Sequence, residues 1–496
     1  MRRLLGICLA GVTVTLASFG QTNATGKVRE LSLQECIELT LRHNLELKIE
    51  RYNPEIQLYT LQGAYGAYDP NLSLAGQHNH RESGAIFANN QIILGSKTDA
   101  DAFNSSINGK LPWGTTYTVS GNVADTHGTQ AGFPFENTAG SVSITGTQPL
   151  LKNFWFDANM LTIKIAKNRL KYSDLTLKQQ IMTKITNLEQ AYYHLIYNRE
   201  NVLVQEKAVE LAERLVAENK KKLEVGTLAP LDLQSAEAQA ATSRANVIKA
   251  RAELGTQERV VKLLITEEYS TWASVELIPT GTLAAQPPIV NLQDSWSKGL
   301  SQRPDLLQAK LDIEQTGIQL KYDRNQLFPE LDIFGTYGYN GTGGEYSGFF
   351  DNLKQQNNPF FAYGGSISIP LTRTTARNSY KSDKAKLQQN VLALKNLEQN
   401  IMINIDNDIG NIRADFDQVH ATRAAREYQE AALDAEQKKL ESGKSTTYTV
   451  LQVQRDLTSA RGAEIQALDT YNEHLSQLSL DEGSTLDRLG IRFEVK

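Results

Sequence analysis

The sequence predicts a mainly α-helical protein with a smaller share of β-strands, arranged as two internal structural repeats. Two observations predict this class. The same short motifs occur in the same order in both halves of the chain, and each half contains a long window in which apolar side chains have coiled-coil spacing. At ~1.5 Å per residue, a helix of about 65 residues would extend roughly 100 Å. Such a helix needs a partner along its length, so we expect long antiparallel coiled-coil helices.

The chain begins with a pattern typical of a secretory signal peptide. Arg2 and Arg3 precede an apolar run, and small residues allow cleavage after Ala24, which gives a signal peptide at residues 1–24. Loss of the two arginines would change the formal charge from -5 to -7, which argues against a nucleic-acid partner. Cleavage would leave Cys36 as the single cysteine, so no intramolecular disulfide is expected.

Paired motifs mark the two repeats. Arg42-His-Asn44 and Gln302-Arg-Pro304 each introduce a helix-like stretch, and each stretch leads into a β-like segment. Further along, Lys221-Lys-Leu-Glu-Val-Gly226 corresponds to Lys438-Lys-Leu-Glu-Ser-Gly443, with five of six positions identical. Each half is therefore predicted to contain a helix, strands, a long helix, a tight turn and a second helix.

The long helices are predicted from composition and spacing together. Proline is absent between residues 150 and 229, and glycine occurs there only at Gly226; these two residue types are the least favourable inside a helix. Apolar side chains recur at alternating steps of three and four residues, which indicates a seam between helices. The first stripe contains Ile181, Ile185, Leu188, Tyr192 and Leu195, and the second contains Leu394, Leu397, Ile401, Ile405, Ile409, Ile412 and Phe416.

Alternation of apolar and polar residues predicts the strands, four to six in number. It is clearest at Leu331, Ile333, Tyr337, Tyr339, Ile367, Ile369, Tyr117, Val119, Val142 and Ile144. Two polar stretches, His78 to Ser105 and Asn340 to Asn358, are interpreted as long loops. The first β-like segment is longer than the second, so we expect an extra hairpin that turns near Pro112-Trp-Gly114.

No stretch after residue 24 approaches the roughly 18 consecutive apolar residues that a membrane-spanning helix requires. If the mature chain crosses a membrane, it must therefore use transmembrane β-barrel strands. A soluble hairpin packed on helices would produce the same alternation. The chain alone has too few strands to enclose a wide barrel.

The predicted domain plan follows from these marks. The first repeat is residues 25–290, with strands at about 68–150 and long helices at about 151–229 and 230–268. The second repeat is residues 291–480, with strands at about 328–371 and long helices at about 372–444 and 446–480. Residues 481–496 form a C-terminal tail.

Taken in order, these features resemble the TolC family of outer-membrane efflux proteins over nearly all of the mature chain. The segments that carry the resemblance are Leu33 to Asn44, Gln148-Pro-Leu-Leu151, Gly226 to Gln234, Arg303-Pro-Asp305, Phe328-Pro-Glu-Leu331 and Val450-Leu-Gln452. No single motif is specific to this family, but the order of the motifs and their repetition in both halves are.

The resemblance implies a homotrimer whose strands merge into one barrel in the outer membrane of a Gram-negative-type envelope, in contact with lipid. Its helices would form an α-helical barrel in the periplasm. Such a protein is a passive exit duct that receives cargo from an inner-membrane pump through a periplasmic adaptor, in tripartite efflux or in type I secretion.

In this family polar side chains just beyond the two turn glycines close the duct. The resemblance transfers this role to Asp232 after Gly226, which matches the family's acid, and to Ser445, Thr449 and Gln452 after Gly443. The last three stand where well-studied members have an arginine and two aspartates. Lys444 could pair with Asp232 of a neighbouring hairpin. The alternative is that Asp232 only stabilises the start of its helix.

The sequence gives no indication of an enzyme, a cofactor or a metal site. His78 and His80 lie two positions apart in a polar stretch without an evident third ligand, so they are interpreted as surface histidines. The competing hypothesis for the whole chain is a soluble periplasmic coiled-coil adaptor or scaffold protein. It accounts for the signal peptide and the helices but leaves the repeated strands unexplained.

Overall fold

The computed structural model describes residues 28–88, 91–93, 95–130, 132–227 and 229–491. The predicted signal peptide lies outside the described residues. In chain order the elements are β1 (Val28–Leu31), α1 (Leu33–His43), α2 (Leu45–Tyr65), β2 (Asn71–Ser83), β3 (Ile86–Ala88), β4 (Gln91–Ile93), β5 (Ser96–Lys110), β6 (Thr116–Gln130), β7 (Phe133–Pro149), α3 (Ala158–Glu224), α4 (Pro230–Ile265), α5 (Tyr269–Trp272), β8 (Glu276–Pro279), α6 (Leu292–Gln302), α7 (Pro304–Gln326), β9 (Glu330–Gly343), α8 (Tyr346–Lys354), β10 (Pro359–Ser368), α9 (Thr374–Glu441), α10 (Thr447–Asp481) and α11 (Thr485–Arg488).

Among the helices in the described part of the chain, none combines the length and apolar character needed to cross a bilayer. The chain divides into two compact units. Unit 1 contains residues 28–44, Leu188–Ala284 and His420–Asp469. Unit 2 contains Leu45–Asn187, Ala285–Val419 and residues 470–491.

Local sequence explains where several helices begin. Ser32 caps α1 in a reciprocal capping box with Glu35, in which each side chain accepts a hydrogen bond from the other residue's backbone N–H. Pro230 and Pro304 occupy the first turns of α4 and α7, where the missing proline N–H costs no helical hydrogen bond.

Unit 1 is a helical assembly with a short two-stranded parallel sheet, β1 with β8. One face of α4 buries small residues at steps of four and three, which lets a neighbouring helix approach closely: Ala236, Ala240, Ser243, Val247 and Ala250. The Tyr192 hydroxyl of α3 donates to the Leu31 carbonyl at 2.9 Å, which ties the short sheet to the long helix.

Unit 2 contains the large sheet and its own helical core. The strand order is β10-β9-β7-β6-β5-β2, with every neighbouring pair antiparallel. Four residues of the predicted stripe on α9 are buried in this unit, Ile401, Ile405, Ile409 and Ile412, while Leu394, Leu397 and Phe416 are half-buried. The Trp296 indole N–H of α6 donates to the Met402 carbonyl of α9 at 3.1 Å.

The extra hairpin of the first half is β5 with β6, and it belongs to the same sheet as the other strands. Its turn lies between Lys110 and Thr116, where Gly114 has a φ of +96°. The first half therefore supplies four strands, β2, β5, β6 and β7, whereas the second supplies two.

The interpretation of two polar stretches as long loops is wrong over most of their length. β2 continues to Ser83 and pairs with β5, which starts at Ser96, and His78 and His80 face Asp101 and Asp99 across these strands. In the second stretch β9 continues to Gly343, and the helix α8 follows it. Polar cross-strand pairs and an isolated short helix do not produce the alternation that identified the other strands.

Candidate functional site

The two turns that join the long helices share one backbone geometry. Gly226 and Gly443 have φ values of +77° and +72°, a region that glycine occupies without strain. At the first turn the N–H of Gly226 donates to Leu223 O at 3.0 Å and that of Thr227 to Lys222 O at 2.9 Å. The equivalent bonds at the second turn measure 3.2 and 2.8 Å. Both helices thus end in a Schellman motif, which reverses the chain and satisfies their last carbonyls.

Asp232 and Lys444 lie next to these two turns, and within one chain they do not form an ion pair with each other. Asp232 lies partly exposed in the first turn of α4, and its N–H donates to the Ala229 carbonyl at 3.1 Å. Lys444 is exposed directly after the second turn. Neither side chain forms an ion pair with another residue that the structure describes. Their pairing stays a prediction about neighbouring copies.

The other three candidates after the second turn each have a local partner. Ser445 donates its hydroxyl hydrogen bond to Glu436 Oε1, and this bond lowers the pKa of the Glu436 carboxyl. The hydroxyls of Thr446 and Thr449 lie 2.9 Å apart. Thr449 is therefore held close to the turn.

Gln452 is exposed, and its side-chain amide is bonded to two charged residues that follow it on α10. Its amide nitrogen donates to Asp456 Oδ1 at 3.2 Å, and its amide oxygen accepts from Arg455 at 2.7 Å. Sequence reasoning missed Glu436, Arg455 and Asp456. Arg455 and Asp456 follow Gln452 by three and four positions, a spacing that places all three on one helix face. Glu436 lies nine positions before Ser445, on the other side of the turn.

The two turns differ in how the following helix is anchored. At the start of α10, Val450 is fully buried and Leu451 is 4% exposed, in a cluster with Leu215 of α3 and Leu433 of α9. At the start of α4, Leu231 is 71% exposed and Gln234 is exposed. Leu231 corresponds to Tyr448, which is also exposed, and half-buried Leu233 corresponds to Val450, so the clearest difference in anchoring lies between buried Leu451 and exposed Gln234.

Arginine–glutamate pairs connect the helices of each hairpin within unit 1. Arg244 of α4 contacts Glu213 of α3 at 2.7 Å, and Arg461 of α10 contacts Glu430 of α9 at the same distance. The second pair lies 217 positions after the first, the offset that also separates the two turn glycines. Equivalent pairs therefore join the two helices at the same place in both hairpins.

The large sheet has two chemically different faces. Cross-strand register places the apolar side chains on one face: Leu72, Leu74, Phe103, Ile107, Val119, Val123, Val142, Ile144, Tyr337 and Tyr339. The opposite face is mainly small and polar, and it also carries Phe334 and Phe360; its small polar residues include Ser73, Asn104, Ser106, Ser120, Asn122, Ser141 and Ser143. Many of the apolar residues are exposed in the single chain.

Charged rows border the apolar face on one side. His78 lies 2.8 Å from Asp101, and His80 lies 2.5 Å from Asp99, in both cases between the Nδ1 and Oδ1 atoms. Asp125 of β6 accepts a hydrogen bond from the Thr138 hydroxyl at 2.7 Å. The two histidines are thus paired with acids rather than isolated on the surface.

Long paired helices combined with a two-faced antiparallel sheet define the fold of outer-membrane channels. The chain belongs to the outer membrane efflux protein family, whose sequence profile matches residues 114–265 and 296–480. The family and the fold are those of channel proteins rather than enzymes, and they place the chain in the outer membrane.

Individual relatives agree with this assignment. The outer membrane protein TolC of Escherichia coli K12 is 24% identical over 406 residues, which cover 78% of this chain and 77% of TolC. The Campylobacter jejuni CmeC outer membrane channel has the same fold, with a TM-score of 0.67 and 14% identity over 91% of this chain and 86% of CmeC. The outer membrane protein VceC of Vibrio cholerae gives a TM-score of 0.65, 18% identity and coverage of 93% and 97%.

Proposed function

We propose that this chain is one protomer of an outer-membrane exit duct, a passive conduit in tripartite efflux or type I secretion. The observation that carries the proposal is the six-stranded sheet with one apolar and one small polar face. A sheet of this kind suits strands that contact lipid on one side and a water-filled lumen on the other. The long hairpins supply the periplasmic part of the duct.

The sheet needs other copies to complete it. Among the described strands, β2 and β10 each pair on one side only, and six strands are too few to enclose a wide lumen. Exposed strand edges pair readily with another chain. We infer that β10 of one copy pairs with β2 of the next, and that three copies close the ring.

A second surface supports contacts between copies. On α2, four large apolar side chains recur at steps of three and four residues and are at least half exposed in the single chain: Ile49, Tyr52, Ile56 and Tyr59. This spacing is typical of a seam between helices. A neighbouring copy of the chain would bury it.

The partners follow from the proposed role. A passive duct needs an inner-membrane pump to supply energy and a periplasmic adaptor to connect the two. The duct itself would contact outer-membrane lipid. A soluble periplasmic adaptor or scaffold is the less favoured alternative, because in such a protein the apolar sheet face would be exposed to water.

Cell fractionation and unheated electrophoresis test the proposal. The mature chain should be found in the outer membrane and migrate as a trimer that heating converts to a monomer. Ile56→Glu should weaken the trimer because it places a charge in the α2 seam, whereas Ile56→Leu should retain it. A wild-type chain that remains monomeric and soluble in the periplasm would contradict the channel and support the adaptor alternative.

We also propose that the two turns form the closing point of the duct, with Asp232 facing Lys444 of a neighbouring copy. Ser445, Thr449 and Gln452 would complete a polar ring. An exposed ion pair contributes about 0.5 kcal/mol, so closure would require one pair at each junction between copies.

Planar-bilayer conductance tests this gate. Asp232→Asn should raise single-channel conductance because it removes the acid of each pair. Glu237→Gln is the matched control, since Glu237 is exposed further along α4. Equal conductance of Asp232→Asn and wild type would exclude a gating role for Asp232.

A further inference from the structure

The helix α8 lies directly on the apolar face of the sheet. Its Phe349 is 2% exposed and packs against β9. A Cβ atom on Gly341 would stand 2.8 Å from the Phe349 ring, and one on Gly343 would stand 2.5 Å from the Phe349 nitrogen. Any side chain at these positions would lift the helix, so two glycines allow this close contact. Both glycines share a sheet face with Tyr337 and Tyr339.

An apolar groove of about 540 Å³ lies between α8 and the strands beside it. Its walls come from β2, β5, β6, β7 and α8, and its apolar lining includes Leu74, Phe103, Val123, Val142, Phe350 and Leu353. Gly76 and Gly121 occupy the floor of the groove and add no side chain to it. The groove therefore crosses the sheet as a slot lined mainly by aliphatic and aromatic carbon, with the Ser105 hydroxyl bonded to the Gly121 carbonyl in its floor.

The groove ends where the chemistry of the sheet face changes. Along the strands, the row that contains Phe103 and Val123 is followed by the row of His78, Asp101 and Asp125. His78 and Asp101 are hydrogen-bonded at 2.8 Å. An apolar slot next to a charged row matches a molecule with a hydrocarbon chain and a polar head.

The helix above the groove has the amphipathic character of an interfacial helix. Phe349 and Leu353 point towards the sheet, whereas Asp351 and Lys354 are exposed on the outer side. Phe350 borders the groove and is 50% exposed. The apolar side of α8 is therefore packed on the sheet, and the part of the helix that an acyl chain in the groove could contact is Phe350 and Leu353.

We propose that the groove beneath α8 binds one acyl chain of an outer-membrane phospholipid, with the lipid headgroup next to the row of His78, Asp101 and Asp125. This inference rests on the proposed function, because it requires the apolar face of the sheet to lie in the membrane. Continuity of the groove with that exposed apolar face selects lipid over a protein segment as the occupant. Copies joined through β2 and β10 would leave the face itself open to lipid.

The test uses a pair of matched variants on β6. Val123→Phe adds bulk inside the groove, whereas Val119→Phe adds the same bulk four residues away on the same sheet face, outside the groove lining. The full-length mature protein would be purified in detergent and titrated with dipalmitoyl phosphatidylethanolamine. Native mass spectrometry would then count the lipids that remain bound to each trimer.

Wild type and Val119→Phe should each retain one lipid per chain, and Val123→Phe should bind it at least roughly tenfold more weakly. If Val123→Phe does not fold, Phe350→Asp serves instead, because this half-exposed side chain tolerates a charge that would repel an acyl chain. Equal lipid binding by Val123→Phe and Val119→Phe, or a wild-type trimer that retains only detergent, overturns the inference. Either result with an intact outer-membrane trimer leaves the proposed function standing, whereas a wild-type chain that forms no such trimer contradicts the proposed function itself.

Discussion

The hairpins α3–α4 and α9–α10 are built to almost the same plan. Their long helices contain 67 and 68 residues, and their return helices contain 36 and 35. Both reverse at a glycine with positive φ, and both have an arginine–glutamate pair at 2.7 Å at corresponding positions. These shared features determine the geometry of a hairpin.

The two hairpins differ in the side chains at other corresponding positions. Glu464 of α10 contacts both Arg423 and Arg426, whereas Val247 occupies the corresponding position of α4. The acids Asp408 and Asp481 correspond to Ala191 and Leu264 in the first hairpin. The same backbone plan therefore tolerates either charge or apolar packing, and at these positions the second hairpin carries titratable groups that the first lacks.

Among substitutions that compare the two hairpins, truncation of Leu451 should have the largest effect on the free energy of unfolding. Leu451 is 4% exposed in the cluster beneath the second turn, while its counterpart Gln234 in the first hairpin is exposed. Leu451→Ala should lower the free energy of unfolding by about 2–5 kcal/mol because it leaves a cavity. Denaturant unfolding in detergent, followed by circular dichroism, would measure the change.

Gln234→Ala is the control for this prediction. It should change the free energy of unfolding by no more than about 0.5 kcal/mol, as expected for an exposed side chain. Equal effects of the two substitutions would show that the two tips are anchored in the same way.

The acids of the second hairpin predict a dependence of stability on pH. Asp408 is 9% exposed and hydrogen-bonded to Asp481, which is held by Arg303 at 2.6 Å and by Gln477 at 2.8 Å. Burial raises the pKa of Asp408 to about 7, and the Asp481 carboxylate adds to the rise. His474 and Arg303 oppose the rise. The pair is stable when it shares one proton.

The sign of the effect follows from proton binding. An unfolded aspartate has a pKa of about 3.9, so between about pH 4 and pH 7 the folded chain holds a proton at Asp408 that the unfolded chain has lost. Stability should therefore fall as pH rises through this window, by a loss on the order of 4 kcal/mol, and change little above it.

Asp408→Asn should flatten this pH profile and raise stability at pH 8, because the amide supplies the hydrogen bond without a charge. Thermal unfolding in detergent between pH 5 and pH 8 would measure the profile. Asp406→Asn, an exposed change two residues earlier on α9, should leave the wild-type slope in place. An unchanged slope in Asp408→Asn would assign the pH dependence to other groups.

The arginine–glutamate pairs should give the smallest effect and the closest agreement between hairpins. Double-mutant cycles on Arg244 with Glu213 and on Arg461 with Glu430 should each give a coupling of about 0.2–1 kcal/mol, which salt reduces. The second pair should reach the upper part of this range because Arg461 and Glu430 are less exposed than their counterparts. A coupling confined to one hairpin would mean that the register is set by other contacts.

The sequence was most informative where one physical rule acts over many residues. Windows almost free of proline and glycine, with an unbroken apolar stripe, predicted the long helices, and glycine next to a repeated motif predicted the turns at Gly226 and Gly443. The family resemblance depended on the same features. The loop interpretation failed at His78 to Ser105, because these strands carry polar side chains on both faces, including cross-strand histidine–aspartate pairs, and so lack the apolar alternation that identifies a strand.

Side-chain contacts around the second turn could not be predicted from the sequence either. Ser445 reaches Glu436 across the glycine turn, and that contact depends on the direction of the chain after the turn. The helix α8 contains nine residues and depends on packing over Gly341 and Gly343, so its own helical preference gives little signal.

The number of strands in the sheet constrains how this protein can vary. Because the strands alternate in direction, an even number leaves β2 and β10 running in opposite directions, so the proposed junction between two copies would be antiparallel like every pair within a copy. A single added strand would force a parallel junction and interrupt that pattern. The proposed ring could therefore widen only by whole hairpins, and β5 with β6 has the form of one such addition.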